Sequence, residues 1–150
     1  MTLRDTIAVI EHLAGKEPAV ATIVRNDIFR LNDKPDVKYG AFAWTQQQHT
    51  IPASGDLQRF AFTLYFVDRL TEDKGNELEI QSTAVQVLGN VLRGIAAAGV
   101  YQGGDAAIRT FNQRFADECA GAFATVTFEV SADTLCPYNY TTTENNKETI

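Results

Sequence analysis

The stretch "LQRFAFTLYFV", residues 57–67, decides how the chain is read. Phe60, Phe62, Leu64 and Phe66 alternate with Ala61, Thr63, Tyr65 and Val67, so one face of an extended strand carries four large apolar side chains. The other face is milder but not polar. Such a strand is predicted to lie in the middle of its sheet, or to be covered on both faces.

Working outward, "DRLTEDKGNELEIQS" (68–82) passes from a dense run of charges into a helix predicted from about Glu77 to Ala98. Asn76 suits the N-cap, and Glu77 and Glu79 meet the positive end of the helix dipole. Leu78, Val85, Leu88, Leu92 and Ile95 form an apolar stripe with Val91 beside it, and Gly99 closes the helix. After the loop "YQGGD", residues 106–116 and 120–131 read as a final hairpin around "DEC". From Ala132 onward apolar content collapses. Residues 132–150 are expected to form a polar arm with nothing to bury, held in place only by a partner chain.

On the other side, Thr2 can cap a first helix with Asp5 at N3, a variant of the capping box. Leu3, Ile7, Ile10 and Ala14 follow at helical spacing, and Gly15 suits a stop. "AVATIVRNDIFRL" (19–31) and "VKYGAFAWT" (37–45) read as two strands of a hairpin around the turn residues "NDKPD", and "QQQHTIPASGD" (46–56) reads as a polar loop. The order α-β-β-β-α-β-β predicts a single α+β domain over residues 1–131. It is expected to be an antiparallel or mixed sheet of about five strands with two helices packed on one face, followed by a C-terminal extended tail.

The chain has 150 residues, 45% of them hydrophobic and 21% charged, enough for one real core and too apolar for a disordered chain. Its formal charge of −6 repels phosphate backbones and anionic lipid, so neither nucleic acid nor membrane is an expected default partner. No apolar run approaches the roughly 18 to 20 residues of a membrane span. The start carries Asp5 and Glu11 inside its apolar pattern and reads as a helix, not a signal peptide. With Cys119 and Cys136 the only cysteines, two thiols in a reducing, cytosolic setting are favoured over one disulfide.

Candidates for chemistry are sparse. Asp68, Glu72, Asp73, Glu77 and Glu79 match neither an EF-hand nor a paired-carboxylate spacing, and read as a helix cap with a solvated turn. His12 falls near a helix end, and His49 in a loop expected to be exposed. Acidic neighbours make Cys119, read as sitting in a tight turn, a poor nucleophile, and Cys136 lies in the tail. The glycines at 103 and 104 lack a phosphate-loop pattern, and "TFNQRF" (110–115) lacks the composition of an RNA-binding strand. No catalytic, cofactor-binding or metal-binding residue is assigned, and the chain is expected not to be an enzyme. Two helices can cover only one sheet face, which leaves the other for contact with another chain. The candidate subunit-interface residues are Tyr65, Val67, Asp68, Arg69, Glu72, Asp73 and Trp44, although Trp44, near a strand end, reads first as a buried anchor and second as an interface residue. A pocket lined by Phe60, Phe62 and Phe66, serving a small molecule or peptide, is the alternative. A small hydrolase or nuclease would instead require His49 and carboxylates to converge in one cleft.

The phrases "ATIVRNDIFRLN", "VKYGAFAW", "RFAFTLYFVDRLTED", "NELEIQSTAVQVLGNVLRGI" and "RTFNQRFADECAGAFATVTFEV", in this order, resemble the tail-terminator and head–tail joining proteins of tailed bacteriophages. More narrowly, they are similar to small structural proteins of phages and prophages of Bacteroides-type gut bacteria. The resemblance covers roughly residues 1–131 and supplies no signature residues. It implies a non-enzymatic virion protein, made in the host cytoplasm, that forms an oligomeric ring at the head–tail junction or tail end. Its partners would be further copies of itself and neighbouring portal, connector or tail-tube proteins. DNA would pass through the lumen without specific binding, which an acidic lining would favour.

Overall fold

The computed structural model describes residues 1–33, 36–114, 118–131 and 147–150. Helix α1 spans Leu3–Gly15 and starts on a complete capping box. Thr2 Oγ1 accepts from the Asp5 N–H at 3.1 Å, and the Thr2 N–H donates to Asp5 Oδ2 at 2.7 Å. Caps of this kind contribute about 1 kcal/mol. The helix ends with Gly15, as expected, its last residue buried and Lys16 capping it in right-handed geometry.

Strands β1 (Thr22–Arg25), β2 (Ala41–Gln46) and β3 (Leu57–Arg69) follow, then α2 (Glu77–Ala97), β4 (Tyr101–Gln102), β5 (Ile108–Arg114), β6 (Cys119–Ser131) and β7 (Glu148–Thr149). The domain is α+β, and its sheet is mixed, in the order β4-β6-β3-β2-β1-β7 with β5 also on β6. β3 is central, flanked by β2 and β6. The β3–β6 ladder runs antiparallel without a slip from Leu57–Ser131 to Arg69–Cys119. The closing hairpin is present as β5–β6, with a register shift near its turn. Cys119 begins β6 and is fully buried, and so does not sit in a turn. Cys136 lies outside the described residues.

The expected first hairpin is overturned. The strand ends at Arg25, where Asn26 adopts φ +66, and a 3-10 helix occupies Ile28–Asp33. Ile28 and Leu31, three residues apart, lie on one side of that short helix and are both buried. The segment from Asn26 to Gly40 is therefore a crossover, and β1 pairs with β2 in parallel, Thr22 beside Ala41 and Arg25 beside Trp44.

Helices α1 and α2 pack on one face of the sheet. Val9 and Ile10 of α1 and Ala84, Val87, Leu88, Val91 and Ile95 of α2 meet Phe42, Trp44, Phe60, Phe62, Leu64, Phe66, Val126 and Phe128. The α2 stripe is rotated from the one expected: Ile80 is buried, whereas Leu78 and Val85 are exposed. At 100° per residue, Leu78 and Val85 lie far round the cylinder from the arc shared by Ile80, Ala84, Val87, Val91 and Ile95.

The polar arm is also corrected at its end. Residues 132–146 lie outside the described ones, but Lys147–Ile150 return to the domain, and β7 pairs in parallel with β1. Ile150 packs on a second apolar cluster, so this end of the tail does bury something.

Gly121 marks the tightest point of the ladder. A Cβ there would fall 1.9 Å from the Phe66 carbonyl oxygen, a backbone atom that cannot yield without moving β3. Gly89, in the middle of α2, would meet only the end of the Arg93 side chain, at 3.2 Å. Gly121→Ala is expected to cost about 3 kcal/mol or more, at the severe end for a point change. Gly89→Ala is expected to be neutral or to stabilise by up to about 1 kcal/mol. Urea titration of the two variants checks this, and equal effects would show that the ladder is not so constrained.

Candidate functional site

The second face of the sheet is only partly covered. At one end the 3-10 helix and its flanks close over it, placing Ile28, Leu31 and Val37 against Val24, Ala41, Ala43, Val67 and Phe111. Beyond them the β3–β6 ladder presents four cross-strand pairs: Tyr65–Phe123, Thr63–Thr125, Ala61–Thr127 and Arg59–Glu129. The Tyr65 and Phe123 rings lie 5.9 Å apart, Phe111 and Phe123 6.2 Å apart, and the Arg59–Glu129 ion pair spans 3.2 Å. Thr125 is exposed, while Tyr65 and Phe123 are half-buried. Arg109, in register with Phe123, is exposed and lines a shallow groove with Asp105, Ala107, Phe123 and Thr125.

The seven candidate interface residues separate against this geometry. Tyr65, Val67 and Arg69 share the second face by strand alternation. Tyr65 is half-buried and Arg69 exposed, its guanidinium 4.8 Å from the centre of the Tyr39 ring. Val67 is fully enclosed by its own chain. Trp44 lies in the opposite layer, 5% exposed, with its Nε1–H donating to Glu11 Oε1 at 2.9 Å. Arg25 grips the same carboxylate through Nε and Nη2, at 2.7 and 2.8 Å, so Glu11 ties α1 to both β1 and β2. Glu72 and Asp73 are exposed in the turn before α2.

That turn is wired mostly to itself. Asp73 Oδ1 accepts from Thr71 Oγ1 at 2.6 Å and from the Gly75 N–H at 3.0 Å, which holds its carboxyl below the usual carboxylate range. Asn76 makes no side-chain bond to the helix it precedes. Its amide instead accepts from the Thr71 N–H and donates to the Arg69 carbonyl, at 2.9 and 3.2 Å. Asp68, Asp73 and Asn76 are thus turn architecture, each bonding a backbone group of the link that joins β3 to α2.

His49 is not the exposed loop residue expected of it. The loop folds back on β3 through a Thr50–Arg59 bridge. The His49 ring stands edge-on to Phe60 at 5.5 Å and tilted against Phe62 at 5.7 Å. Its Nδ1 accepts from the Ala61 N–H at 3.2 Å, and Nε2 pairs with Gln46 Oε1 at 3.0 Å. No spacing rule would have flagged it, because the imidazole acts here as a backbone acceptor. His12 lies elsewhere, in a groove with Leu13, Lys16, Gly94 and Ala98, where burial and then the charge of Lys16 lower its pKa. Phe60, Phe62 and Phe66 are buried, Phe62 against Phe128 at 6.0 Å and Trp44 at 6.3 Å, and the grooves at Arg109 and at His12 are lined by other residues. Among the described residues, no three His, Cys, Asp or Glu side chains are grouped to hold a metal ion. No described helix is long and apolar enough to cross a membrane. No protein-family profile matches the chain, and no curated protein matches it significantly in sequence.

Asp68 yields a pH test. It is half-buried, and burial raises its pKa above 3.8 despite the Arg69 N–H donated to Oδ1 at 2.7 Å. The folded chain therefore takes up this proton before the unfolded chain does as pH falls. At neutral pH the carboxylate opposes folding, and that penalty lifts as pH drops through the folded value, disappearing below 3.8. Asp68→Asn keeps an acceptor for the Arg69 N–H and is expected to exceed the wild type in stability at about pH 7, converging with it toward about pH 4. Thermal melts across that range check it; a difference that stays constant with pH would assign the effect to something other than the charge.

Proposed function

We propose that this protein is a structural subunit that assembles head to tail into a ring in a tailed-phage particle, at the head–tail junction or the tail end. The supporting observation is the half-covered second face of the sheet. It carries the Tyr65–Phe123 pair, small Thr and Ala side chains, and Arg59, Arg69 and Arg109, in a chain whose net charge is −6. Exposed Glu72, Asp73 and Glu79, at the β3–α2 turn and the start of α2, supply the opposite sign elsewhere on the subunit. A contact between unlike surfaces of identical subunits closes into a ring when its rotation divides a full turn. Complementary charge sets the register, and the aromatic pair provides the desolvated centre. The resemblance of the sequence to tail-terminator and head–tail joining proteins points the same way. In this reading the partners are like subunits and the adjoining portal, connector or tail-tube proteins. DNA traverses the lumen without specific contacts, and no catalytic step is required.

Light scattering and native mass spectrometry over a concentration series test the reading, with Thr125→Arg as the variant. Thr125 is exposed at the middle of the face and gives up only a 3.4 Å hydroxyl contact with Thr63, which Gln47 also bonds, so the substitution should leave stability within about 1 kcal/mol. The wild type is expected to form one closed species of fixed stoichiometry as concentration rises, and Thr125→Arg to remain monomeric. A wild type that stays monomeric throughout, or a variant that assembles equally well, overturns the proposal.

A further inference from the structure

The outer edge of β1 is a strand-acceptor slot, filled by residues 147–150. Thr22 and Ile23 pair in register with Glu148 and Thr149. The Ile150 N–H donates to the Ile23 carbonyl at 3.0 Å, and the Arg25 N–H to the Ile150 carbonyl at 2.8 Å. Two side chains add specificity. Lys147 Nζ donates to the backbone carbonyls of Glu17 and Val20, and Ile150 packs on the second apolar cluster. The slot therefore reads a lysine and an isoleucine three residues apart on an extended segment, a form of strand addition.

The path to the slot is long. Ser131, where β6 ends, is in register with Leu57, whereas Glu148 aligns through Thr22 and Ala41 with Val67, ten residues further along β3 (67 − 57). That offset is about 33 Å along the strands, and four strand spacings add about 19 Å across them, a diagonal of roughly 38 Å. The connection has sixteen steps (147 − 131), which reach at most about 55 Å when extended. A relaxed chain of that length, without glycine, spans only about 26 Å end to end. A subunit filling its own slot must draw its connection well past the relaxed span, for a strand of two residues.

We propose that in the assembled state the slot of one subunit takes residues 147–150 of a second copy of this chain, so that strand exchange ties neighbours together. The proposal rests on the ring reading and specifies how the ring is latched. Exchange replaces each contact by an identical one, so it adds no new interface chemistry, and adjacent subunits supply the arm at high effective concentration.

The test is zero-length carbodiimide coupling of Lys147 to Glu17 in an equal mixture of isotopically heavy and light full-length chains, unfolded together and refolded, with the solution mass measured in parallel. Linked peptides carrying one heavy and one light half are expected as often as chance mixing allows, and are expected to vanish in Ile150→Asp while the domain keeps its melting transition. Same-label links alone overturn the exchange, and if they come from a ring, the ring reading survives. Hybrid links in a species no larger than a dimer support the exchange and overturn the ring. Hybrid links that persist in Ile150→Asp show association that does not use the slot, and overturn the exchange.

Discussion

The unbroken antiparallel ladder between β3 and β6 is the constraint on which the remaining structure hangs. Thirteen residues of each strand are locked pair by pair, from Leu57 with Ser131 to Arg69 with Cys119. Because side chains alternate, that register assigns every position to a layer. Phe60, Phe62, Leu64 and Phe66 join Val126 and Phe128 beneath the helices, and Tyr65 is set beside Phe123 on the other side. A slip of one residue would exchange the two sets and bring the Arg59–Glu129 pair into the core. The absent side chain at Gly121 lets the two backbones close at the point where the Phe66 carbonyl leaves no room.

The two faces are finished differently. The helix side is filled with large apolar groups and fastened by Glu11, whose carboxylate accepts from Trp44 and Arg25 together. The other side is closed by the 3-10 segment at one end and left at the other with threonines, arginines and a ring pair. Aromatic and arginine side chains are the kinds enriched where protein surfaces meet. In the turn before α2, Asp73 Oδ1 is bonded to Thr71 and Gly75, while Glu72 beside it stands exposed.

Much of the fold was legible because it is local. Thr2 and Asp5 announce the first helix by a three-residue spacing, and the alternation of residues 57–67 gives a central strand with its faces correctly sorted. Gly99 ends α2 in a left-handed conformation, as its position suggests. What stayed hidden depends on distant partners. Residues 19–31 carry β-branched and aromatic residues that suit a strand, yet the burial of Ile28 and Leu31 under a crossover turns the last four of them, 28–31, into 3-10 helix. Turn chemistry at 32–36 suits a hairpin or a crossover equally well, and only the pairing partner decides. Leu78 and Val85 fit a helical stripe until the sheet fixes which arc faces inward. At the candidate site, Arg69 is exposed and Tyr65 half-buried on the second face. Val67 and Trp44 are covered by their own chain, and Arg59, Arg109 and Phe123 went unnoticed because their proximity to Tyr65 is set by the ladder and not by sequence distance.

Trp44 is the only tryptophan in the chain. Its indole sits edge-on to Phe62 at 6.3 Å, almost wholly shielded, with its N–H held by a glutamate of α1. The protein thus carries an intrinsic optical reporter at the one junction where the first helix meets the parallel half of the sheet. Ultraviolet emission from this single fluorophore reports the moment at which α1, β2 and Phe62 of the ladder come together, since neither β3 nor β6 carries an indole of its own.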